Sequence, residues 1–519
     1  MGMVKTKSFR SWNPEQTLLL PPSPVDWLPD NHLVFFLLDL AAELDLEEIY
    51  AVYRQKDPRG EKAYDPRMMV VLLLYAYCVG LPSSRKIEKA CWEDASFRVL
   101  TGNQQPDHSR ISDFRRLHLN ALAGLFVQVL RLCQKAGLVS LGHVALVAAD
   151  FREAVGTKIR ANASKHKAMS HERMLKSEKQ LEGQMRALLR KAELIDAQED
   201  GQYGKDKRGD ELPEELQRRS SRLEWIRKAK AELEAEAAAA KAAQRQQEAD
   251  AAEEDATAAE ASGDGQASKR AARRGRGARK RADDAHKLAI EKAEAAGHEP
   301  SAIKADGVSD LLAMPSRQLP TDAAGKPKPS VQRNFTDPDS YILKGPEGWI
   351  QGYNAQAAVD GNHQVIVAIG VSNQPSDAVH LLPMLERIET NTGQLPAVLT
   401  ADPGYCSTAN LEACEEKGLE AYISTRRQQH GQRPRPSRGR PPKDLDARGR
   451  MDRKLRSKAG QSIYALRKTV VEPVFGQIKG TRRLDRFRLR GLEQVNGEWA
   501  LMATTHNLLK LFRASQEVV

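Results

Sequence analysis

Apolar residues recur at helical spacing through the first quarter of the chain. The spacing predicts a helix over residues 33–53 and a second, fully buried helix over residues 68–79. A further helical run begins at Asp107-His108-Ser109. Residues 1–139 are therefore predicted to form an all-α domain. Short helices with basic residues on the later ones favour a helix-turn-helix-like unit that contacts DNA, and a plain helical bundle is the alternative.

The pattern changes to strands at residues 140–160 and again from residue 336. Residues 144–150 are small, β-branched and apolar and end in Asp150, so they predict a buried strand. Residues 353–360 and 364–372 predict a hairpin around Asp360-Gly361-Asn362. The elements predicted after the hairpin are a helix over 377–389, a strand over 396–401, a helix over 407–418, a strand over 419–424 and a helix over 463–479 that bends near Pro473. These elements predict an α/β domain over residues 336–513, with 140–160 as its first strand.

Residues 161–335 differ from both neighbours and read as a charged, helical and partly disordered insertion. Residues 216–247 predict a long solvated helix or coiled-coil arm. Charge blocks of this kind are usually mobile and solvated, and the basic block either touches phosphates or associates with the acidic block. The acidic block contains Glu248, Asp250, Glu253, Glu254, Asp255, Glu260 and Asp264, and the basic block contains Lys269, Arg270, Arg273, Arg274, Arg276, Arg279, Lys280 and Arg281.

Composition narrows the class of partner. The 519 residues carry a formal net charge of +11, which suits a polyanion such as nucleic acid. Only 5% of residues are aromatic, which disfavours single-strand recognition by base stacking. The five cysteines form no C-x-x-C pair, so we expect neither a zinc site nor a disulfide framework. The first residues lack an apolar signal core and no apolar run is long enough to span a bilayer, so we expect a cytoplasmic protein without membrane contact.

Three carboxylates stand where ligands gather in α/β proteins. Asp150 and Asp402 each end a predicted strand, and ligands collect at the carboxyl ends of strands. Glu472, on the late helix, supplies a third carboxylate if the strands are neighbours. Such a set suits Mg²⁺ or Mn²⁺, and two ions about 4 Å apart promote phosphoryl transfer. The alternatives are a turn role for the aspartates and a salt bridge for the glutamate.

Several segments together resemble the bacterial insertion-sequence DDE transposases. Residues 400–405, Thr-Ala-Asp-Pro-Gly-Tyr, resemble the second-aspartate motif of that family, and residues 471–479 resemble its glutamate motif. In the subgroup with a Y-R-E-K signature, the glutamate is followed seven positions later by a lysine, as Glu472 is by Lys479. Residues 107–109, 156–163 and 352–360 also resemble family segments, so most of the chain outside 170–335 is covered.

The resemblance implies an RNase H-like catalytic domain interrupted by a long insertion. It implies an Asp-Asp-Glu triad that holds two Mg²⁺ ions, with Asp150, Asp402 and Glu472 in those places. It also implies cleavage at the terminal inverted repeats of a mobile element and attack of the freed 3′-hydroxyl on target DNA. Double-stranded DNA is then the partner, a homo-oligomer the expected assembly, and the bacterial nucleoid the expected place of action.

Basic and aromatic residues around the glutamate are the candidate DNA contacts. Tyr464 and Arg467 stand one position further from Glu472 than the signature places them, and Lys468 takes the arginine position. In a regular helix Lys468, Glu472 and Lys479 share a face suited to phosphate contact, and a Lys468–Glu472 ion pair is the alternative. Arg482 and Arg483 extend the basic surface, and the Pro- and Arg-rich stretch 426–458 is predicted to be an extended linker that tracks DNA.

The first aspartate departs from the family pattern. Relatives place it directly before Gly-Thr-Lys, where this chain has Val155 before Gly156. Either an insertion has moved the ligand to Asp150 or the ligand has been lost; Glu153 is a poor substitute. Three hypotheses follow: an active transposase, a decayed DNA-binding remnant, and a host nuclease of the same fold.

Overall fold

The computed structural model describes residues 24–54, 63–147, 158–203, 214–261, 265–297, 314–317, 319–322, 324–345, 348–426, 437, 442 and 444–517. Asp150, the predicted first ligand, lies outside the described residues, as do Glu153, Val155 and Gly156. Most of the stretch 427–443 lies outside them as well.

Seven helices form the N-terminal part. The predicted buried helix is confirmed, and the Asp65 carboxylate caps it by accepting a hydrogen bond of 2.7 Å from the Arg67 N–H. The predicted helix over residues 33–53 is two helices, because the Asp45 side chain caps the second by accepting a 2.9 Å hydrogen bond from Glu47 N–H. The helices are α1 (Leu33–Glu43), α2 (Glu47–Arg54), α3 (Pro66–Cys78), α4 (Ser84–Glu93), α5 (Ala95–Leu100), α6 (His108–Leu117) and α7 (Leu119–Lys135).

A mixed sheet forms the centre of the molecule. Its main strands stand in the order β7-β6-β1-β8-β9, with β6 antiparallel to β7 and β1, and β1, β8 and β9 parallel. The short strands β2 and β5 pair with the N-terminal half of β6, and β3 and β4 form a separate ribbon. The strands are β1 (His143–Val147), β2 (Lys158–Arg160), β3 (Ala168–Ser170), β4 (Gln332–Asn334), β5 (Tyr341–Gly345), β6 (Gly348–Asp360), β7 (Ile366–Ser372), β8 (Val398–Ala401) and β9 (Glu420–Ile423).

The predicted hairpin is the pair β6 and β7, and its turn also fixes the entry into β1. The buried Asp360 carboxylate accepts hydrogen bonds from the backbone N–H of Asn362 at 3.0 Å and of Leu141 at 2.8 Å. A turn residue therefore ties the hairpin to the segment that leads into β1. The predicted strands 396–401 and 419–424 are confirmed as β8 and β9.

Helices cover the sheet and join it to the N-terminal helices in one hydrophobic core. The last helix packs against β7, α3 and α7, and Gly497 lets it approach closely, because a Cβ there would stand 2.4 Å from the Leu119 Cγ. The helix that carries Glu472 packs across β1, β6, β8 and β9. The helices of the insertion are α8 (His171–Tyr203), α9 (Glu214–Ala261) and α10 (Gly265–Ala295). The helices that follow it are α11 (Leu381–Thr392), α12 (Thr408–Glu416), α13 (Ala447–Arg456), α14 (Lys458–Phe475), which carries Glu472, and α15 (Leu492–Glu517), the last helix.

The insertion forms a long helical arm rather than free charged segments. Helices α9 and α10 pack together along alanines that include Ala242, Ala249, Ala282 and Ala289. The described residues of both charge blocks lie on these packed helices, and their mobility stays a prediction. No described helix, even one as long as α9, has an apolar stretch that could cross a membrane.

Part of the predicted extended linker is helical. Helix α13 begins after Asp446, whose carboxylate accepts a 2.8 Å hydrogen bond from the Gly449 N–H. The last proline of the stretch is Pro442, so nothing in α13 itself opposes helix formation. The prediction of an extended chain is therefore wrong for Ala447–Arg456.

Candidate active site

Asp402 lies at the carboxyl end of a central parallel strand, as predicted. Leu146 of β1 stands beside Ala401 of β8, so the next residue on each strand is Val147 and Asp402. The Asp402 side chain is buried, with 3% of the residue exposed. The end of β1 and the Asp402 carboxylate therefore share one edge of the sheet.

The register against β6 shows extra residues between β1 and β2. Val147 is opposite Ala357, and Lys158 is opposite Asn354, on the same edge of β6. Only residues 355 and 356 separate those partners, whereas ten residues, 148–157, join β1 to β2. An unbroken strand needs one residue for each partner, so the chain holds eight residues more than such a strand (ten minus two). If the eight extra residues were absent and the strand continuous, Val147 would stand immediately before Gly156.

Arg467 and Tyr464 face Asp402. The Arg467 guanidinium lies 2.5 Å from the Asp402 carboxylate, and both side chains are almost fully buried. The Tyr464 ring lies 5.5 Å below the same guanidinium, and burial raises the pKa of its hydroxyl to about 12. These two predicted DNA contacts therefore lie beside the second carboxylate in this conformation.

Glu472 is held on a helix that accommodates a proline. Pro473 has no N–H to donate to the Thr469 carbonyl, and the Gln364 side chain donates to that carbonyl instead, at 3.0 Å. The helix continues from Phe475 as a π-helical turn, Gly476–Thr481. The Glu472 side chain is half-buried.

The predicted basic residues divide between surface and interior. Lys468 and Arg483 are exposed. Lys479 donates a 3.0 Å hydrogen bond to the Lys158 carbonyl on β2, and burial lowers its pKa to about 8. Arg482 is buried and donates a 2.8 Å hydrogen bond to the Thr505 hydroxyl. Lys468 is exposed, whereas Lys479 is partly buried against β2, so the two lysines do not form one exposed basic face.

A second polar cluster, which the sequence analysis missed, surrounds Asp377 and touches Gly404, two residues after Asp402. The buried Asp377 carboxylate accepts hydrogen bonds from Asn354 at 2.6 Å and from Gln356 at 3.2 Å. A Cβ on Gly404 would stand 2.6 Å from that carboxylate, and the Tyr405 hydroxyl donates to the Gln356 side chain. Burial raises the pKa of Asp377. The signal in the sequence was the pair Asn354 and Gln356, two polar residues at alternate positions of β6.

His506 links the π-helical turn after Glu472 to the β6–β7 hairpin through two side-chain hydrogen bonds. Its Nε2 donates to the Gln364 carbonyl at 2.9 Å, and its Nδ1 lies 2.6 Å from the Gln477 side-chain amide on the π-helical turn. Burial and the nearby Arg482 lower the pKa of His506 to about 3. The ring is therefore neutral in the folded protein at ordinary pH.

Replacing His506 with Asn is expected to reduce the acid sensitivity of folding. Between pH 6.5 and about 3 the unfolded state binds a proton at His506 that the folded state does not bind, so stability falls as pH falls through that window. One proton changes the free energy of unfolding by at most about 1.4 kcal/mol per pH unit. Urea unfolding at several pH values measures the slope, with the exposed His286→Asn as control. Equal slopes for both variants and the parent chain contradict the prediction.

Comparison with known proteins agrees with these features. Residues 328–508 match the family model described as Transposase DDE domain, and residues 23–117 match the one described as Transposase domain (DUF772). The chain therefore contains one segment similar to the transposase DDE domain and another similar to the DUF772 transposase domain. The segment that matches the DDE domain contains Asp402 and Glu472, and the segment that matches DUF772 contains α1 to α6.

A curated protein named as a transposase is similar to a limited part of the chain. The chain is 31% identical over 86 residues to a protein named putative transposase for insertion sequence element IS402, from Burkholderia cepacia. The match covers 15% of this chain and 41% of that relative. No solved structure matches the chain. The DDE segment begins at residue 328, so β1 and β2 lie ahead of it.

Proposed function

We propose that the protein is a DNA transposase that binds the terminal inverted repeats of a mobile element, cuts phosphodiester bonds there and joins the 3′-hydroxyl ends to target DNA. The observation that carries the proposal is Asp402 at the end of β8, with the Glu472 helix packed across β1 and β8. The strand order β7-β6-β1-β8-β9, with β6 alone antiparallel to its neighbours β7 and β1, supports an RNase H-like domain.

The donor chemistry suits Mg²⁺ or Mn²⁺, but the described residues supply only part of it. Asp402 and Glu472 offer carboxylate oxygens, which these ions prefer. Among the residues that the structure describes, no group of three histidine, cysteine, aspartate or glutamate side chains can hold a metal ion. We propose Asp150 as the remaining ligand. Bound ions supply an activated water or 3′-hydroxyl and stabilise the leaving oxygen.

Arg467 acts on Asp402 in this proposal. A carboxylate 97% removed from solvent needs a partner for its charge, and the guanidinium at 2.5 Å provides one. The same contact fixes the direction of the carboxylate. Arg467 is thus a positioning residue, and we propose Lys468, Arg483 and Lys479 as contacts for DNA phosphates near Glu472; Lys468 and Arg483 are exposed, and Lys479 must exchange its hydrogen bond to the Lys158 carbonyl for a phosphate.

Asp402→Asn and Glu472→Gln are each expected to reduce Mg²⁺-dependent cleavage by about 10³-fold or more, because several kcal/mol of metal-assisted stabilisation is lost. The substrate is a linear fragment that carries the gene with its own flanking sequence, and the readout is nicked or cut ends on a denaturing gel. Glu416→Gln, an exposed glutamate on α12, is the matched control and should cleave like the parent. Cleavage that survives Asp402→Asn overturns the proposal.

The register supports a second candidate, a DNA-binding remnant without cleavage activity. The resemblance assigns the first aspartate to the position before Gly156, and in an unbroken strand that position is held by Val147, level with Asp402. This candidate predicts DNA binding without cleavage by the native chain. In either case we propose action on duplex DNA in the bacterial cytoplasm, at the nucleoid, as a homo-oligomer that brings two DNA ends together.

A further inference from the structure

The outer face of α10 carries a row of cations. The residues of α10 that face α9 are Gly275, Ala278 and Ala282, and all three are buried. At about 100° per residue, positions four, three and four residues apart form one stripe on a helix, and the stripe opposite this seam is basic. We call it the cationic stripe; it consists of Lys269, Arg273, Arg276 and Lys280, all exposed.

The acidic helix α9 does not neutralise the cationic stripe. Contact between the charge blocks runs through Arg279, on the flank of α10, which lies 3.9 Å from Asp250 and 3.9 Å from Glu253. Within the part of the chain that the structure describes, no ion pair involves a residue of the cationic stripe. Association of the two blocks therefore leaves four outward-facing charges available.

The surface around the cationic stripe suits a phosphate backbone better than a protein. No large apolar side chain is exposed between Trp225 and Leu288 among the described residues, whereas the core of a protein interface is apolar. The stripe runs over eleven residue steps, about 16 Å at 1.5 Å per residue. Duplex DNA carries a charge about every 1.7 Å along its axis, so this length meets several phosphates. We propose that the cationic stripe of α10 binds the phosphate backbone of duplex DNA, independently of its sequence.

Ion pairs join α9 to the β3–β4 ribbon and to α10 at the root of the arm. Arg333 on β4 lies 3.1 Å from Glu232 and 2.7 Å from Glu236, both on α9. Lys292 of α10 lies 3.1 Å from Glu234 of α9. Arg276 is sixteen residues from Lys292, about 24 Å along the helix. DNA on the stripe is therefore bound well away from the root.

The opposite face of the arm limits binding to one side. Helix α9 exposes Glu248, Glu254 and Asp255, while Asp250 lies on its flank beside Arg279. Packed helix axes lie about 8–10 Å apart, so the two outer faces are roughly 20 Å apart. That separation exceeds the Debye length of about 8 Å at physiological salt, and the acids do not cancel the stripe. They repel DNA from the α9 side, so the duplex approaches α10.

The test measures DNA binding by the full chain without divalent metal, which separates it from the proposed cleavage. A 40-base-pair duplex of arbitrary sequence is titrated at several salt concentrations, by fluorescence anisotropy. Changing all four stripe residues to Gln is expected to weaken binding at least about tenfold. It should also flatten the plot of log affinity against log salt by about 3 to 4, at roughly 0.9 per lost phosphate contact.

Two control variants separate charge from structure. Glu248→Gln with Asp250→Asn, Glu254→Gln and Asp255→Asn removes four charges from α9 and should bind equally or more tightly. Arg273→Lys with Arg276→Lys keeps the charge and should keep the salt slope. An unchanged slope in the four-Gln variant overturns the proposal. So does loss of self-association in that variant, by sedimentation, without loss of DNA binding, because the stripe is then a contact between copies.

Discussion

Deleting residues 148–155 and replacing Val147 with Asp is expected to raise the Mg²⁺-dependent cleavage rate about 10²-fold or more over the native chain. The deletion removes the eight residues in excess of an unbroken strand, so Gly156 and Thr157 take the places opposite Gln356 and Ala355. The new aspartate then lies one residue past the Leu146–Ala401 pair, as Asp402 does. A reacting group misplaced by 1 Å can cost about 10²-fold in rate, and Asp150 lies three residues further along.

The same deletion with Val147 retained is the matched control. It restores the continuous strand without a carboxylate, and it should cleave no faster than the native chain. Adding Asp402→Asn to the repaired variant should abolish the gain, which ties the gain to the carboxylate pair. If the native chain cleaves as fast as the repaired variant, Asp150 is already well placed. Cleavage by the repaired variant alone identifies the native chain as a remnant.

Features set by local chemistry were predictable from the sequence. Asp402 follows a short apolar stretch, and the structure places it at the end of β8. The hairpin around Asp360 was predictable because turn residues separate two apolar runs. Ser407 begins the predicted helix over residues 407–418, and its hydroxyl caps the helix by accepting a 3.1 Å hydrogen bond from the Asn410 N–H. Each of these signals lies within a few residues of the feature it determines.

Features set by contacts between distant segments were not predictable. The eight extra residues become countable only when β1 and β2 are seen on the same edge of β6, about 200 positions away. Arg467 belongs to a basic stretch that suggests DNA contact, and its ion pair with Asp402 depends on how α14 crosses the sheet. The roles of Asp150, Lys479 and Arg483 stay predictions.

Replacing Glu498 with Ala is expected to lower the free energy of unfolding by about 3–5 kcal/mol, because each buried donor left without its acceptor costs about 1–3 kcal/mol. The Glu498 carboxylate is fully buried and accepts hydrogen bonds from the N–H groups of Arg488 at 2.8 Å and Leu489 at 3.0 Å. It also accepts one from the Tyr77 hydroxyl at 3.1 Å. Burial raises the pKa of Glu498, and the nearby Arg115 opposes that rise. Alanine leaves these three donors without their acceptor, while Arg115 keeps its hydrogen bonds to the Pro82 carbonyl and the Ser84 hydroxyl.

The loss should affect the N-terminal helices and the DDE segment together. Arg115 of α6 donates to the Tyr77 hydroxyl at 3.2 Å, so Glu498 on α15 links two N-terminal helices to the segment after the π-helical turn. Urea unfolding followed by circular dichroism gives the free energy, with the exposed Glu493→Ala on the same helix as control. The control should change stability by less than about 0.5 kcal/mol, as surface substitutions usually do. Glu498→Gln keeps an acceptor oxygen, so its free energy of unfolding should fall between those of Glu498→Ala and Glu493→Ala. If Glu498→Ala loses no more stability than Glu493→Ala, the proposed role of this hydrogen-bond network is contradicted.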